Sequence, residues 1–548
     1  MKRLMMLLLV FSLLLCCGCG KDGSNNENPS LNSDSPSQPA DKPEESTAST
    51  EESAETTVPT EEPGESTTTT EKPQIPVNTT ALIVNDHEIS FSELDYFYID
   101  AINQYCNQYR NYLSYLLNTG RPLDEQLLDA TTGKTWADNF LEMAIHQARN
   151  VYALYDAAQA AGYTLPQDQA EAMQALYDSM DDYAREQGYD NTTAYLKAIY
   201  GELASEQTYK DYYEITTIAS SYYNHHTEET KNSYQPSDLR AFEDGKKYAY
   251  NSYSYASFYL SLDSFNEDEL KEAAETLASP ENNTVEKLNA AIKQMEQNLA
   301  PELGDDFTYS QATENKNILY SRVNTIMQEW LRDEARMPGD ITAIPYEVTT
   351  LGEDGNEIRT LKGYFVVLFQ GCNENIMPLA NVRHILVAYE GGLYDNATGQ
   401  ITYSATEKET AKNQAEVLLN QWKAGAATEN SFAALANEHS DDGDGTTGGL
   451  YEDVYPGQMV RNFNAWCFDE SRQYGDTALV ETEYGYHVMY YAGDSQKNYR
   501  DYMIANDMLG EDIEAWQTAL NDAATVIEKD TSKINQDIII EDMPGWES

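Results

Sequence analysis

The chain has 548 residues and a formal net charge of -57, from 35 Lys and Arg against 92 Asp and Glu, with a sequence pI near 4.2. So acidic a polypeptide is repelled by nucleic acid and by anionic headgroups, which excludes both as partners held by charge. Its 41% hydrophobic content supports about two to four globular domains once the low-complexity part is set aside.

Lys2 and Arg3 precede an apolar run over residues 4–15, too short to span a bilayer comfortably and placed where a signal h-region belongs. The run ends in Leu15-Cys16-Cys17-Gly18-Cys19-Gly20, and a Cys directly after a small residue resembles a bacterial lipobox. Cys19 is the candidate for lipidation; Cys17, or an ordinary secretory signal with incidental cysteines, are the readings left open. Each of them exports the chain. A lipidated Cys19 with two or more acyl chains would anchor the protein durably to the cell membrane on its extracellular face, most simply in a Gram-positive envelope, with the periplasm left open. After such processing only Cys106, Cys372 and Cys467 remain, odd in number and far apart, so they do not read as a disulfide framework.

Residues 20–78 are dominated by Ser, Thr, Glu and Pro and are expected to stay disordered, as a tether with a reach of roughly 40 to 45 Å. Order is expected to begin with a strand and turn at 81–89, and Ser90 followed by Glu93 predicts a helix start. Helices are expected over 136–161, 167–187, 192–199 and from 205 to about 223, giving a helical chaperone-like domain at 79–235. Tyrosine, at 41 against 13 Phe, offers amphipathic contact area to extended peptides. Residues 236–378 change to an α+β pattern, with β-prone residues at 248–262, helices over 267–277 and 284–298 and a strand at 363–369. Residues 496–548 form the C-terminal helical segment, with a helix expected over 512–529.

Two histidines mark the region 379–495. His384 lies in Val382-Arg383-His384-Ile385-Leu386-Val387 and His487 in Tyr484-Gly485-Tyr486-His487-Val488-Met489, both strand-like. A helix, a Gly-rich turn and an apolar loop separate them, so the strands could lie side by side and bring the imidazoles together. The stretch 236–378 repeats the strand, helices, strand order with Ser257 where His384 would be and Phe365 where His487 would be. A degenerate copy and a coincidental α+β insert are both open.

Residues 381–494 resemble a parvulin-type peptidyl-prolyl isomerase domain. The resemblance is carried by Val382 to Val387, a helix over 406–425, Ser431-Phe432-Ala433-Ala434-Leu435-Ala436 leading to Ser440-Asp441-Asp442, Gly448-Gly449, Gly457-Gln458-Met459-Val460 with Phe463, and Thr482 to His487. The order of the whole chain is similar to exported foldases of the PrsA and SurA kind. The sequence departs from the family after Gly448-Gly449, where Leu450-Tyr451-Glu452 replaces the usual Asp-Leu-Gly, which puts the turn and the rim of the proline pocket in doubt.

The resemblance implies an α+β fold and an enzyme in which His384, His487, Asp442 and Thr482 form the catalytic network and Met459, Phe463, Tyr451 and Phe468 receive substrate. It implies no cofactor. Partners would be unfolded or partly folded exported proteins with X-Pro bonds, together with the membrane through the anchor; a homodimer is left open. A zinc site from His384, His439, His487 and Asp442 lacks an HExxH motif or a Cys pair, and Asp441 to Gly445 shapes a turn as readily as a calcium loop. No Lys or Arg cluster follows His384, which argues against phosphate-directed substrate choice. A binding-only holdase, with the isomerase domain as scaffold, is the alternative function; a solute-binding lipoprotein lacks a visible two-lobe α/β pattern.

Overall fold

The computed structural model describes residues 79–548 apart from 301–307, 352–355, 396–399, 444, 532–533, 535–536, 544–545 and 547–548. The expected signal peptide, Cys19 and the tether lie outside the described residues. Among the described residues, contacts divide the chain into two compact units, residues 79–229 with 512 onward, and residues 230–511.

In the first unit β1 (Thr80–Val84) and β2 (His87–Ser90) pair antiparallel across a turn in which Asn85 takes φ +51°, a conformation Asn tolerates. The Ser90 side chain accepts from the Glu93 amide at 3.2 Å and so starts α1 (Phe91–Gln108) where the Ser-x-x-Glu spacing predicts. A reciprocal Thr135/Asp138 capping box opens α2 (Trp136–Ala160), which buries Trp136, Phe140, Ala144, Ala148, Val151 and Leu154. Then come α3 (Gln167–Glu186), α4 (Thr192–Tyr200) and α5 (Glu206–Ser233). The last runs past the expected end near Tyr223, because residues 224–233 are polar but hold no Gly or Pro before Pro236.

The C-terminal helix also differs from its expected span. It occupies Tyr499–Ala523, because Asn498 accepts from the Asp501 amide at 2.8 Å and donates to its carboxylate at 2.9 Å, a cap with Asn-x-x-Asp spacing. Residues Val526–Glu528 leave the helical pattern and pair with β1, Val526 opposite Val84, as suits β-branched side chains. Trp516 and Leu520 pack against the core of the helical unit.

The second unit opens with α6 (Pro236–Glu243) and holds two lobes of the same topology. The first runs β3 (Ser252–Ser261), α7 (Glu267–Leu277), α8 (Val285–Leu299), β4 (Thr313–Leu319), α9 (Thr325–Leu331), β5 (Ile341–Leu351) and β6 (Glu357–Asn373), with sheet order β4-β3-β6-β5. The second runs β7 (Pro378–Ala388), a short hairpin within 393–402, α10 (Ala405–Ala424), α11 (Glu429–His439), β8 (Leu450–Val454), α12 (Arg461–Cys467), β9 (Thr477–Glu481) and β10 (Gly485–Asn498), with sheet order β8-β7-β10-β9. Strand for strand, the orders are the same. The central pairs also share register: Ser257 faces Val367 and Tyr259 faces Phe365, as His384 faces Met489 and Leu386 faces His487.

A local device recurs with them. Arg336 stacks on Trp330 at 4.0 Å, donates from Nε to its carbonyl at 3.2 Å and pairs with Asp333 and Asp340. Arg472 stacks on Trp466 at 4.3 Å, donates from Nε to its carbonyl at 3.1 Å and pairs with Asp469 and Asp476. Both clips lie in a shared Trp-x-x-Asp-Glu-x-Arg-x-x-Gly-Asp motif. The first lobe differs chiefly in its β5–β6 ribbon, which continues to Leu351 and Glu357 beyond the last β3 pairing at Gly363.

Each strand alternates its side chains between two faces. In the second lobe Ile385, Val387, Val488 and Tyr490 pack under α10 and α11, while Val382, Met489 and Tyr491 face α12 with Phe463 and Trp466. His384 and His487 fall on the α12 face.

The segments entering and leaving the lobes meet at Arg500, which is 6% exposed. Its guanidinium bonds Glu243 Oε2 at 2.8 Å, Asn251 Oδ1 at 2.8 Å and the carbonyls of Glu374 at 3.0 Å and Lys247 at 2.9 Å. Replacing Arg500 with Ala leaves Glu243, 3% exposed, charged without its buried partner. That substitution should lower the unfolding free energy of this unit by about 3 to 5 kcal/mol in urea titrations. Arg240→Ala, on the half-exposed side of the same carboxylate, should cost less than about 1 kcal/mol.

Candidate active site

Because His384 faces Met489 and His487 faces Leu386, the two histidines are diagonal neighbours on adjacent antiparallel strands. Their Nδ1 atoms lie 3.1 Å apart, and the two residues are 3% and 5% exposed. The sequence-predicted pair is therefore one cluster.

Asp442 reaches the pair because the edge of β7 beyond β8 is capped by residues 440–441. The Leu386 amide donates to Ser440 Oγ at 3.1 Å, the Asp441 amide to the Leu386 carbonyl at 2.9 Å, and the Ala388 amide to Asp441 Oδ2 at 2.9 Å. This sets Asp442 Oδ2 at 3.2 Å from His384 Nε2 and 2.8 Å from the Tyr451 hydroxyl. On the other side Thr482 Oγ1 is 3.0 Å from His487 Nε2 and accepts from the Tyr484 amide at 3.2 Å.

Asp442 is held at about 2, below its ordinary 3.8, mainly by the hydrogen bond from His384 and further by Tyr451, so it accepts only. His487 is pushed down to about 4 by burial and by the neighbouring imidazole. One assignment of donors connects the run from end to end. The Tyr484 amide donates to Thr482 Oγ1, Thr482 to His487 Nε2, His487 Nδ1 to His384 Nδ1, and His384 Nε2 to Asp442.

The apolar side of the cluster is Phe463, whose ring stands edge-on to both imidazoles at 5.4 and 5.3 Å. Met459 and Phe468 are half-buried against the same core, and Tyr451 stacks on His384 at 4.9 Å and 15°. The eight residues expected in the catalytic network and the substrate wall thus lie in this lobe on the α12 side or its rim, while Cys19 lies outside the described residues. His439 instead lies beside Glu438 on α11, and among the described residues no group of three His, Cys, Asp or Glu is arranged to hold a metal. An open cavity of about 660 Å³ beside Trp330, Arg332 and Ile344 belongs to the first lobe and contains none of these residues.

Two supports were not read from the sequence. Arg383 pairs with Glu429 at 2.9 Å and donates to the carbonyls of Thr447 and Gly448, both at 3.1 Å, which fastens the Gly turn to α11. Gly449 takes φ +65°, and a Cβ there would sit 2.1 Å from the His384 carbonyl oxygen. Only glycine lets this turn approach β7 so closely.

In the first lobe Ser257 and Phe365 stand at the histidine positions, and Tyr346 faces Gly363 as Thr482 faces Gly485. The hydrogen-bonded run cannot form there.

The family model described as "PPIC-type PPIASE domain" matches residues 369–493, the whole histidine cluster included. The second lobe is a PPIC-type prolyl isomerase domain. Chaperone SurA of Chromohalobacter salexigens is 27% identical over 191 residues, 32% of this chain and 40% of the relative, so the chain spans about two fifths of that protein. The isomerase lobe is also similar to a crystal structure of the PPIase domain of TbPar42, with 23% identity, 21% of this chain and 99% of that one covered, and a TM-score of 0.17. The peptidylprolyl isomerase PrsA from Bacillus cereus is 18% identical, with 31% of this chain and 58% of that one covered and a TM-score of 0.18.

Two outcomes follow for the isomerase lobe. NMR should show the His487 imidazole titrating at about 4. Its ordinary value is 6.5, so the stability this group contributes is complete above pH 6.5 and is lost as pH falls toward 4, where the unfolded chain has taken up a proton the folded one has not. Gly449→Ala should destabilise the lobe by about 1 to 3 kcal/mol and displace the His384 resonances.

Proposed function

We propose that the isomerase lobe catalyses cis–trans isomerisation of X-Pro bonds in unfolded or partly folded exported proteins, and that the chain works outside the cytoplasm on a lipid anchor at Cys19. The observation that carries the catalytic part is the unbroken run from Thr482 through His487 and His384 to Asp442, laid against Phe463. Prolyl rotation meets a barrier of about 18 to 20 kcal/mol because amide resonance is lost in the twisted state. No covalent step is required, and the cluster presents no activated nucleophile. An apolar floor of Phe463 and Met459 holds the proline ring, and the polar run beside it favours the twisted amide over the planar one, lowering the barrier by about 1.4 kcal/mol for each tenfold in rate. His384, His487, Asp442 and Thr482 are the proposed catalytic network, and Met459, Phe463, Tyr451 and Phe468 the proposed substrate wall.

Export and anchoring rest on Lys2, Arg3, the apolar run and the Gly18-Cys19 pair. In this reading the acidic tether holds the folded units off the membrane and the helical unit cradles clients. A binding-only holdase is the second reading. It is favoured by the exposed Tyr112, Tyr115 and Leu127 of the helical unit, at 67%, 86% and 58%, which offer contact area with no chemistry.

The exchange rate of an X-Pro peptide, followed by NMR without a coupling protease, tests the two. The intact protein should accelerate exchange, and His384→Ala should lower kcat/KM at least tenfold. No acceleration, with suppression of client aggregation retained, would leave the holdase. Cys19→Ala should abolish incorporation of labelled fatty acid; incorporation lost only in Cys17→Ala would move the anchor.

A further inference from the structure

Tyr451 stands where the chain leaves the parvulin pattern, and it touches both partners of the outer hydrogen bond. Cross-strand pairing sets it opposite Val382, on the face that also carries His384. Its ring lies nearly parallel to the His384 ring at 4.9 Å, while its hydroxyl donates at 2.8 Å to Asp442 Oδ2, the same oxygen that faces His384 Nε2.

Asp442 needs such a hold. The backbone contacts with β7 end at Asp441, and Gly443 and Gly445 follow with φ of +87° and +75°, so the chain turns away at once. The Asp442 side chain is 40% exposed, and a carboxylate at a loop rim is otherwise hydrated and free to rotate. Burial and the adjacent carboxylate push the Tyr451 hydroxyl up to about 12, so it remains a donor throughout the working pH range. In the first lobe the position facing Tyr255, equivalent to the one facing Val382, is Asn315, whose side chain bonds the Thr313 carbonyl instead. The contact is missing where the histidines are missing.

We propose that Tyr451 is a positioning residue for the isomerase site, a latch that fixes the Asp442 carboxylate on His384. This rests on the reading of the lobe as a prolyl isomerase and extends it: the departure at Leu450-Tyr451-Glu452 is a functional substitution that locks the outer end of the run.

The test is a double-mutant cycle in the full chain, with kcat/KM measured by peptide exchange and the Asp442 carboxyl titrated by ¹³C NMR. Tyr451→Phe keeps the stacked ring and removes only the donor. It should lower kcat/KM about tenfold and raise the Asp442 midpoint from about 2 toward 3.8. In an Asp442→Ala background the same change should cost less than twofold, because the latch then has nothing to hold. Tyr451→Leu, which also loses the ring, should cost more than Tyr451→Phe in the unmutated background. An equal loss from Tyr451→Phe in both backgrounds, or an Asp442 midpoint that does not move, overturns the proposal. If the unmutated protein catalyses no exchange, the isomerase reading fails on its own account, and the Asp442 titration alone decides whether Tyr451 holds the carboxylate.

Discussion

The site depends on one register, that of β7 against β10. With His384 opposite Met489 and His487 opposite Leu386, the two imidazoles share a face and meet at 3.1 Å. A slip of one residue would turn one ring toward α10 and α11, into the apolar layer of Ile385, Val387 and Val488. Gly449, Arg383 and the 440–441 edge cap all act on β7, and each fixes where the polar run begins or ends. The fold's contribution is thus to hold four polar groups in line beside an aromatic ring, with Thr482 and the two imidazoles buried and Asp442 at the rim.

The first lobe shows that the scaffold and the run are separable. It has the same strand order, the same central register and the same Trp-Arg clip, yet Ser257, Phe365 and Tyr346 occupy the places of His384, His487 and Thr482. There Phe365 packs with Tyr259 at 4.8 Å and Tyr346 at 6.0 Å, so aromatic contact replaces the hydrogen-bonded line. Sheet topology therefore carries no catalytic implication by itself. The chemistry belongs to three substitutions on one face.

Much of this was legible because strand periodicity is short-range. The alternation around His384 and His487 predicts their shared face once the strands are paired, and capping at Ser90 and apolar spacing in α2 are equally local. What escaped was of two kinds. The Trp330/Arg336 and Trp466/Arg472 clips and the Asn498/Asp501 cap are visible as motifs but lie outside the patterns that mark strands and helix interiors. The polar extension of α5 to Ser233 and the strand at Val526–Glu528 depend on packing partners far away in the chain, which no local spacing encodes. The role of Tyr451 falls in the second class, since its two partners come from β7 and from the loop after α11.

The central claim is that the hydrogen-bonded run, not the sheet, supplies catalysis. It is tested most directly by His487→Phe, which gives the isomerase lobe the residue that the first lobe carries in the same register. The account predicts that X-Pro exchange falls to the uncatalysed rate while the thermal unfolding profile of the lobe is kept, since an aromatic ring already packs at that position in the sister sheet. Exchange that continues at the unmutated rate in a folded His487→Phe protein would contradict it.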